Sequence, residues 1–399
     1  MGQAVNQTQA WQPADWVNRG GELLGQDPRL AQRLIAHGLQ GIPEEARAWF
    51  NMGIALHQQG RIAAAIRAYR RCLELPGAPV GAASNNLAQD LLLQGAFQQG
   101  WSVYERRLQT PKYDHRYFKQ LAGPAWQGFE DPRPCQRLVL VAEQGFGDTL
   151  QFCRLALSLE ERGITTVLFC QPALVTLLRE GTALATVCSS VGADLFDGQT
   201  RWCPLMSLPH RLGLHSATIP LAAGYLRAEP NLVAHWGERL QRRPGLRLVA
   251  LHWQGNPKHE QSLYSRGRSM SLAHWLPLAQ VPGVEWVSIQ KGAGSEQLAQ
   301  QNALPLVAGQ HRVSASLDFR DTAAILANCD LLISADSGVV HLAGAMGIPS
   351  WVALRWIPEW RWQLHGVSSP WYRSVRLFRQ SSDGDWNSVV GAIRLALDA

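Results

Sequence analysis

Lysine is nearly missing from this chain: Lys112, Lys119, Lys258 and Lys291 are all there is, and arginine carries the rest of the basic charge. The formal net charge of +6 over 399 residues is small and spread along the sequence. Nucleic-acid binders concentrate basic charge on one face, so no nucleic-acid partner is expected. Paired cysteines are lacking too. Cys72, Cys135, Cys153, Cys170, Cys188, Cys203 and Cys329 form no Cys-x-x-Cys, and an odd count without framework spacing fits reduced thiols in a cytoplasmic protein. Each reads as a small apolar core residue. The histidines make no ligand-like cluster, so neither a metal nor another cofactor is expected. No apolar run approaches membrane-spanning length. The opening Met-Gly-Gln-Ala-Val-Asn-Gln has no basic or apolar leader character. The expectation is a cytoplasmic protein with no transmembrane segment.

What is present is a long chain with 46% hydrophobic residues, enough for two or three domains with substantial cores. It is organised around Asp330 to Pro349. Leu331, Leu332 and Ile333 read as a buried strand, and Val339 to Met346 as a helix packed closely through Ala343, Gly344 and Ala345. Asp336, Ser337 and Gly338 make the turn between them and can cap the helix. A helix start with open amides suits the phosphates of a nucleotide. A second strand from Ser350 to Leu354 completes a βαβ unit. Such a turn equally serves as a plain N-cap in any α/β domain.

The front of the chain has a different rhythm. Trp49, Met52, Gly53, Leu56, Gly60, Ala65, Tyr69, Cys72 and Pro76 resemble the tetratricopeptide pattern, and Leu87, Ala88, Leu91, Gly95, Gly100 and Tyr104 repeat it. A degenerate helical pair from Asp15 to Gln40 precedes them. Two readings of this front stand: a concave face for a protein partner, or a short helical cap on the larger α/β part of the chain. Residues 111–134, with Tyr113, Tyr117, Phe118, Trp126 and Phe129, read as a connector laid against a domain surface.

Three motifs carry a further resemblance. Ser334 to Pro349, Glu143-Gln-Gly-Phe-Gly-Asp-Thr-Leu150 and Ser288-Ile-Gln-Lys-Gly292 are similar to those of glycosyltransferase family 9, the bacterial heptosyltransferase family, over roughly 133–399. The expected fold is α/β: a GT-B-type pair of doubly wound parallel-sheet domains preceded by an all-α tetratricopeptide-like helical domain. The expected boundaries are 1–110 for the helical domain and 111–134 for the connector. An N-terminal Rossmann-like half on the acceptor side follows at 135–228. Residues 229–244 read as a linker, and 245–399 as a C-terminal half on the nucleotide-sugar side.

Glycosyl transfer needs a base for the acceptor hydroxyl and positive partners for the departing diphosphate. Asp148 is the candidate base: it follows Gly145 and Gly147 at the end of the first strand, where open sheets place ligands, and the resemblance implies the same role. It also suits the N-cap of the following helix. Gln144, Gly145 and Gly147 shape that loop on the acceptor side. Lys291, a point charge after a strand, suits a diphosphate oxygen, though a plain surface lysine reads the same way. Asp336, Ser337, Gly338 and His341 would hold the nucleotide sugar, with Asp336 orienting sugar hydroxyls or capping; a lone His such as His341 is equally a packing residue. Gly255 and Asn256 would let backbone approach the nucleotide. The tryptophans between 351 and 379 read mainly as packing, and Asp383-Gly-Asp385 as a turn and N-cap rather than a metal site.

The reading is a metal-independent, inverting glycosyltransferase using a nucleotide-diphosphate sugar, by resemblance a heptose, on a glycan, lipid-linked or protein acceptor. Two others stand beside it: a protein O-glycosyltransferase whose helical domain presents the acceptor, and a non-catalytic tetratricopeptide adaptor on a decayed transferase fold.

Overall fold

The computed structural model describes residues 11–109, 121–131, 135–220, 224–316 and 318–398. The chain forms two compact units, Met1–Tyr113 and Asp114–Ala399.

The first unit is helical: α1 (Pro13–Leu23), α2 (Pro28–Gly41), α3 (Ala46–Gln58), α4 (Ile62–Glu74), α5 (Val80–Leu93) and α6 (Phe97–Tyr104). The signature residues set the spacing. A Cβ on Gly53 of α3 would lie 2.4 Å from the Tyr69 ring of α4, so only glycine permits that approach. Gly100 of α6 meets Leu92 of α5 in the same way, at 2.7 Å. Asp27 caps α2 by accepting the Arg29 and Leu30 N–H groups, with Pro28 in the first turn, where its missing N–H costs nothing. One polar link is buried between successive repeats: His57 Nδ1 lies 2.7 Å from Asp90 Oδ1, joining α3 to α5.

In the second unit β1 (Arg137–Val141), α7 (Phe146–Glu160), β2 (Thr165–Phe169), α8 (Pro172–Gly181), β3 (Thr186–Cys188) and β4 (Thr200–Pro204) build a first sheet, with α9 (Leu208–Arg211) after it. Its four strands run parallel in the order β3-β2-β1-β4. The stretch from Leu138 to Val141 is wholly buried, as a parallel strand covered on both faces must be. Residues 121–131 lie along this sheet: Trp126 is buried and its N–H donates to the Trp202 carbonyl at 2.8 Å. Tyr113, Tyr117 and Phe118 of the expected connector lie outside the described residues.

The helix α10 (Pro230–Leu240) comes after the first sheet, capped by Glu229 and ended by Gln241 at φ 53°. Next come β5 (Arg247–His252), α11 (Leu272–Trp275), β6 (Val284–Ser288), α12 (Gln310–Ala315), α13 (Phe319–Ala327), β7 (Leu331–Ala335), α14 (Gly338–Met346), β8 (Ser350–Leu354), β9 (Val375–Arg379) and α15 (Trp386–Asp398). The helix α11 is only one α turn, followed by a 3-10 turn. Pro277 lacks the N–H that would continue it. The second sheet has five parallel strands ordered β6-β5-β7-β8-β9. Trp253, Trp275 and Trp286 pack its core with Val389 and Ile393 of α15.

Strand order reverses between β1 and β4 in the first sheet and between β5 and β7 in the second. Ligands of open α/β sheets bind at the carboxyl ends of the strands at such switch points. The loops there are Ala142–Gly145, Trp253–Asn256 and Asp336–Ser337. Helical first unit and paired parallel sheets are the architecture expected from the sequence.

Candidate active site

Two helix starts meet at these switch points. α7 opens right after the β1 loop and α14 right after the β7 turn, and glycine brings them together. A Cβ on Gly147 would lie 2.8 Å from His341 Cδ2 and 3.3 Å from Gly338 Cα. The candidate acceptor loop and the candidate diphosphate turn are therefore in contact.

Asp148 stands in the first turn of α7 and faces this seam. Its Oδ2 accepts the Gly145 N–H at 2.8 Å, so Asp148 bonds back from the third helical position while Gly145, not Asp148, is the N-cap residue. Its Oδ1 accepts from Arg361 Nη2, which comes from the loop after β8. A carboxylate offers about four lone-pair sites, so both bonds leave room for an incoming hydroxyl. Gln144 is exposed, and its carbonyl accepts from Gln171 Nε2 at 2.7 Å, which holds the loop against the start of α8.

On the other wall Ser337 precedes α14 but does not cap it. Its hydroxyl turns to His252 Nδ1, 3.1 Å away at the end of β5, so the helix's opening amides keep their capacity for an anion. Burial pushes the His252 pKa down to about 4, making it a neutral partner at ordinary pH. Asp336 is buried, and its Oδ2 has no hydrogen-bond partner among the described residues. Beside it, Arg355 donates to the backbone carbonyls of Tyr264 and Arg266, pinning the loop after β5. Burial brings the Arg355 pKa down to about 10, with Asp336 opposing that shift. Burial, reinforced by the charge of Asp336, raises the pKa of Glu359 against the opposing pull of Arg361.

His341 is buried one turn into α14. Its Nδ1 lies 2.9 Å from the Tyr372 hydroxyl and its ring stacks on Trp362 at 5.5 Å. Burial, then Arg361, Arg154 and Arg268, hold its pKa well below the usual histidine range. Lys291 projects after β6, and its Nζ donates to the Val313 carbonyl at the end of α12. Burial lowers its pKa to about 8, which leaves the ammonium mostly charged at neutral pH, with further N–H donors to spare. The Gly255 N–H donates to Ser269 Oγ at 2.9 Å. Asn256 is exposed, and its Oδ1 accepts the Lys258 N–H at 3.0 Å.

Sequence reasoning overlooked the polar residues inside α7. Gln151 and Arg154 follow Asp148 at i+3 and i+6, one face of a helix, and both are buried. Arg154 donates to the carbonyls of Trp371 (2.6 Å) and Pro220 (3.2 Å) and to the Tyr225 hydroxyl (3.0 Å). Its guanidinium sits against the Tyr225 and Tyr372 rings. The sequence signal was there: polar residues interrupting an otherwise apolar helix. Gln290, within the Ser288–Gly292 motif, ties Trp253, Gln254 and Ala293 into one knot through its amide. Trp360, Trp362 and Trp371 are buried packing residues, whereas Trp356 is 42% exposed. Asp385 caps α15 through the Ser388 N–H at 3.1 Å and accepts from Ser381 Oγ.

Two parts of the chain match known families. The model of the tetratricopeptide repeat matches residues 46–75. That of glycosyltransferase family 9 (heptosyltransferase) matches 286–354, the segment from β6 through β8. The chain thus carries a match to the tetratricopeptide repeat in its first unit and a match to the family 9 glycosyltransferase model within its second sheet. A curated relative, Protein FlbA of Caulobacter vibrioides, is 28% identical over 379 residues. The match takes in 89% of this chain but spans only 62% of that relative's length. Among solved structures, the ADP-heptose lps heptosyltransferase II of E. coli is 14% identical, with TM-score 0.43 over 66% of this chain and all 100% of that one. A glycosyl transferase family 9 protein of Veillonella parvula is 11% identical, with TM-score 0.42 over 64% of this chain and 88% of its own. An O-GlcNAc transferase of Thermobaculum terrenum covers 97% of this chain and 90% of its own at 15% identity and TM-score 0.32. Among the described residues no helix is long and apolar enough to cross a membrane.

Proposed function

We propose that the second unit transfers a sugar, by family resemblance a heptose, from a nucleotide-diphosphate donor to a hydroxyl acceptor with inversion and without a metal. The reading is carried by one observation: the Asp148 turn and the uncapped start of α14 touch through Gly147 and Gly338. The acceptor oxygen attacks the anomeric carbon from the Asp148 side, and its proton passes to the carboxylate. The bond from that carbon to the diphosphate breaks, and the nucleoside diphosphate leaves with the electron pair. Its charge is met by the amides opening α14, the Ser337 hydroxyl and Lys291. Asp336, buried with an open oxygen, receives sugar hydroxyls, and Gly255 and Asn256 border the nucleotide.

A panel of nucleotide sugars, with release of nucleoside diphosphate as the readout, tests this. Wild-type protein should turn over one donor class, and Asp148→Asn should lose about 10²–10⁴-fold while remaining folded. Equal turnover in Asp148→Asn would refute the assignment, and no release from any donor would favour a non-catalytic adaptor. The tetratricopeptide match at 46–75 supports a second reading, in which the acceptor is a polypeptide recruited by the helical unit. Removal of residues 1–110 should then spare donor hydrolysis and abolish transfer to the polypeptide.

A further inference from the structure

Arg361 is a buried guanidinium, 7% exposed, and a buried cation survives only when its donors are matched. Its Nε donates to Gln151 Oε1 at 2.5 Å and its Nη1 to Glu359 Oε1 at 2.5 Å, while Nη2 reaches Asp148 Oδ1. Trp360 lies under the plane at 4.1 Å. Gln151 and Asp148 share one face of α7, so two edges of the fork grip that face and the third stays on its own segment.

We propose that Arg361 is a positioning residue for Asp148, fixing the carboxylate plane from the opposite sheet so that the base is set only when the 359–362 segment is seated on α7. This rests on the transferase reading above. Asp148 is pinned at both ends: Oδ2 by its own turn through the Gly145 N–H, Oδ1 by Arg361. Without Arg361 one pin remains, and the carboxylate rotates about it. Glu359 balances the guanidinium, so the grip adds no net charge to the seam. A lysine supplies charge but not the planar fork, and cannot serve Gln151 and Asp148 together in the same geometry.

The test uses the full chain with the donor identified by the panel, comparing Arg361→Ala, Arg361→Lys and Asp148→Asn. Misplacing a catalytic group by about 1 Å costs about 100-fold. Arg361→Ala should therefore lose about that much kcat, with donor KM and nucleoside-diphosphate affinity unchanged. Arg361→Lys should recover little. Free guanidinium should restore part of the rate to Arg361→Ala and none to Asp148→Asn. Full kcat in Arg361→Ala, beside an inactive Asp148→Asn, would overturn this inference and leave the transferase reading standing. So would a loss that merely tracks the folded fraction and is repaired by Arg361→Lys, the result expected of a structural clamp. An active Asp148→Asn, or no turnover by wild type, would remove the transferase reading and this inference with it.

Discussion

The contact between the helix starts makes Gly147 the most informative site for a single methyl group. In Gly147→Ala the new Cβ falls 2.8 Å from His341 Cδ2 and 3.3 Å from Gly338 Cα. The first distance is inside any real carbon contact, so something must move. The His341 ring cannot swing aside cheaply, because Tyr372 holds its Nδ1 at 2.9 Å and Trp362 is stacked on it. Overpacking of this kind costs about 1–3 kcal/mol. Replacing glycine returns about 0.4–1 kcal/mol through the unfolded chain. The clash wins, for a net loss of about 1–2 kcal/mol, or roughly 2–8 °C in Tm for a domain of this size. Gly391→Ala is the internal control: it lies in α15, and its Cβ would meet no heavy atom within 4 Å. It should stabilise by about 0.5–1 kcal/mol from helix propensity alone. Calorimetry on the full chain reads both. A Gly147→Ala melting point equal to wild type would refute the close approach and, with it, the seam on which the site is built. Because Asp148 is the next residue, activity should fall more than stability does.

Other consequences can be measured as directly. The His252 pKa is depressed to about 4, so its contribution to stability is complete above pH 6.5 and is lost as pH falls toward 4. Denaturant titrations should show about 3 kcal/mol less stability over that window, and His252→Gln should flatten the fall. Lys291, with its pKa lowered to about 8, loses its charge above that pH. Nucleoside-diphosphate affinity measured by calorimetric titration should therefore drop from pH 7 to 9 in wild type and stay level in Lys291→Ala. In the helical unit, Asp90→Ala leaves His57 without its buried carboxylate. A loss of about 1–3 kcal/mol is expected for the buried partner left unsatisfied, read as a melting transition that shifts for residues 11–109 alone in hydrogen exchange.

Much of the fold was legible because the relevant signals are local. Gly53 with Tyr69 marks a helix contact through size alone, and continuous apolar runs such as Leu138–Val141 mark covered parallel strands. The motif turn at Asp336–Gly338 could be placed for the same reason. What escaped was either short or long-range. β3 and β4 are brief and mixed in character, with a buried Arg201 whose Nη1 donates to the carbonyls of Gly198 and Thr200. Arg361 lies 213 residues from Asp148 in sequence, and nothing in Arg-Trp-Arg-Trp announces which carboxylate it will meet. The Ser337 hydroxyl illustrates a subtler limit. Its residue type predicts a helix cap, but His252 on the neighbouring strand competes for it and wins.

The same clasp of α7 bears on how this protein can be cut and recombined. Along its length that helix hands Asp148, Gln151 and Arg154 to groups that belong to the other sheet's loops. A fragment ending near residue 244 would expose a charged, half-satisfied flank and should not persist as a soluble piece. Chimaeras that exchange the first sheet will need to carry residues 359–372 along as part of the graft.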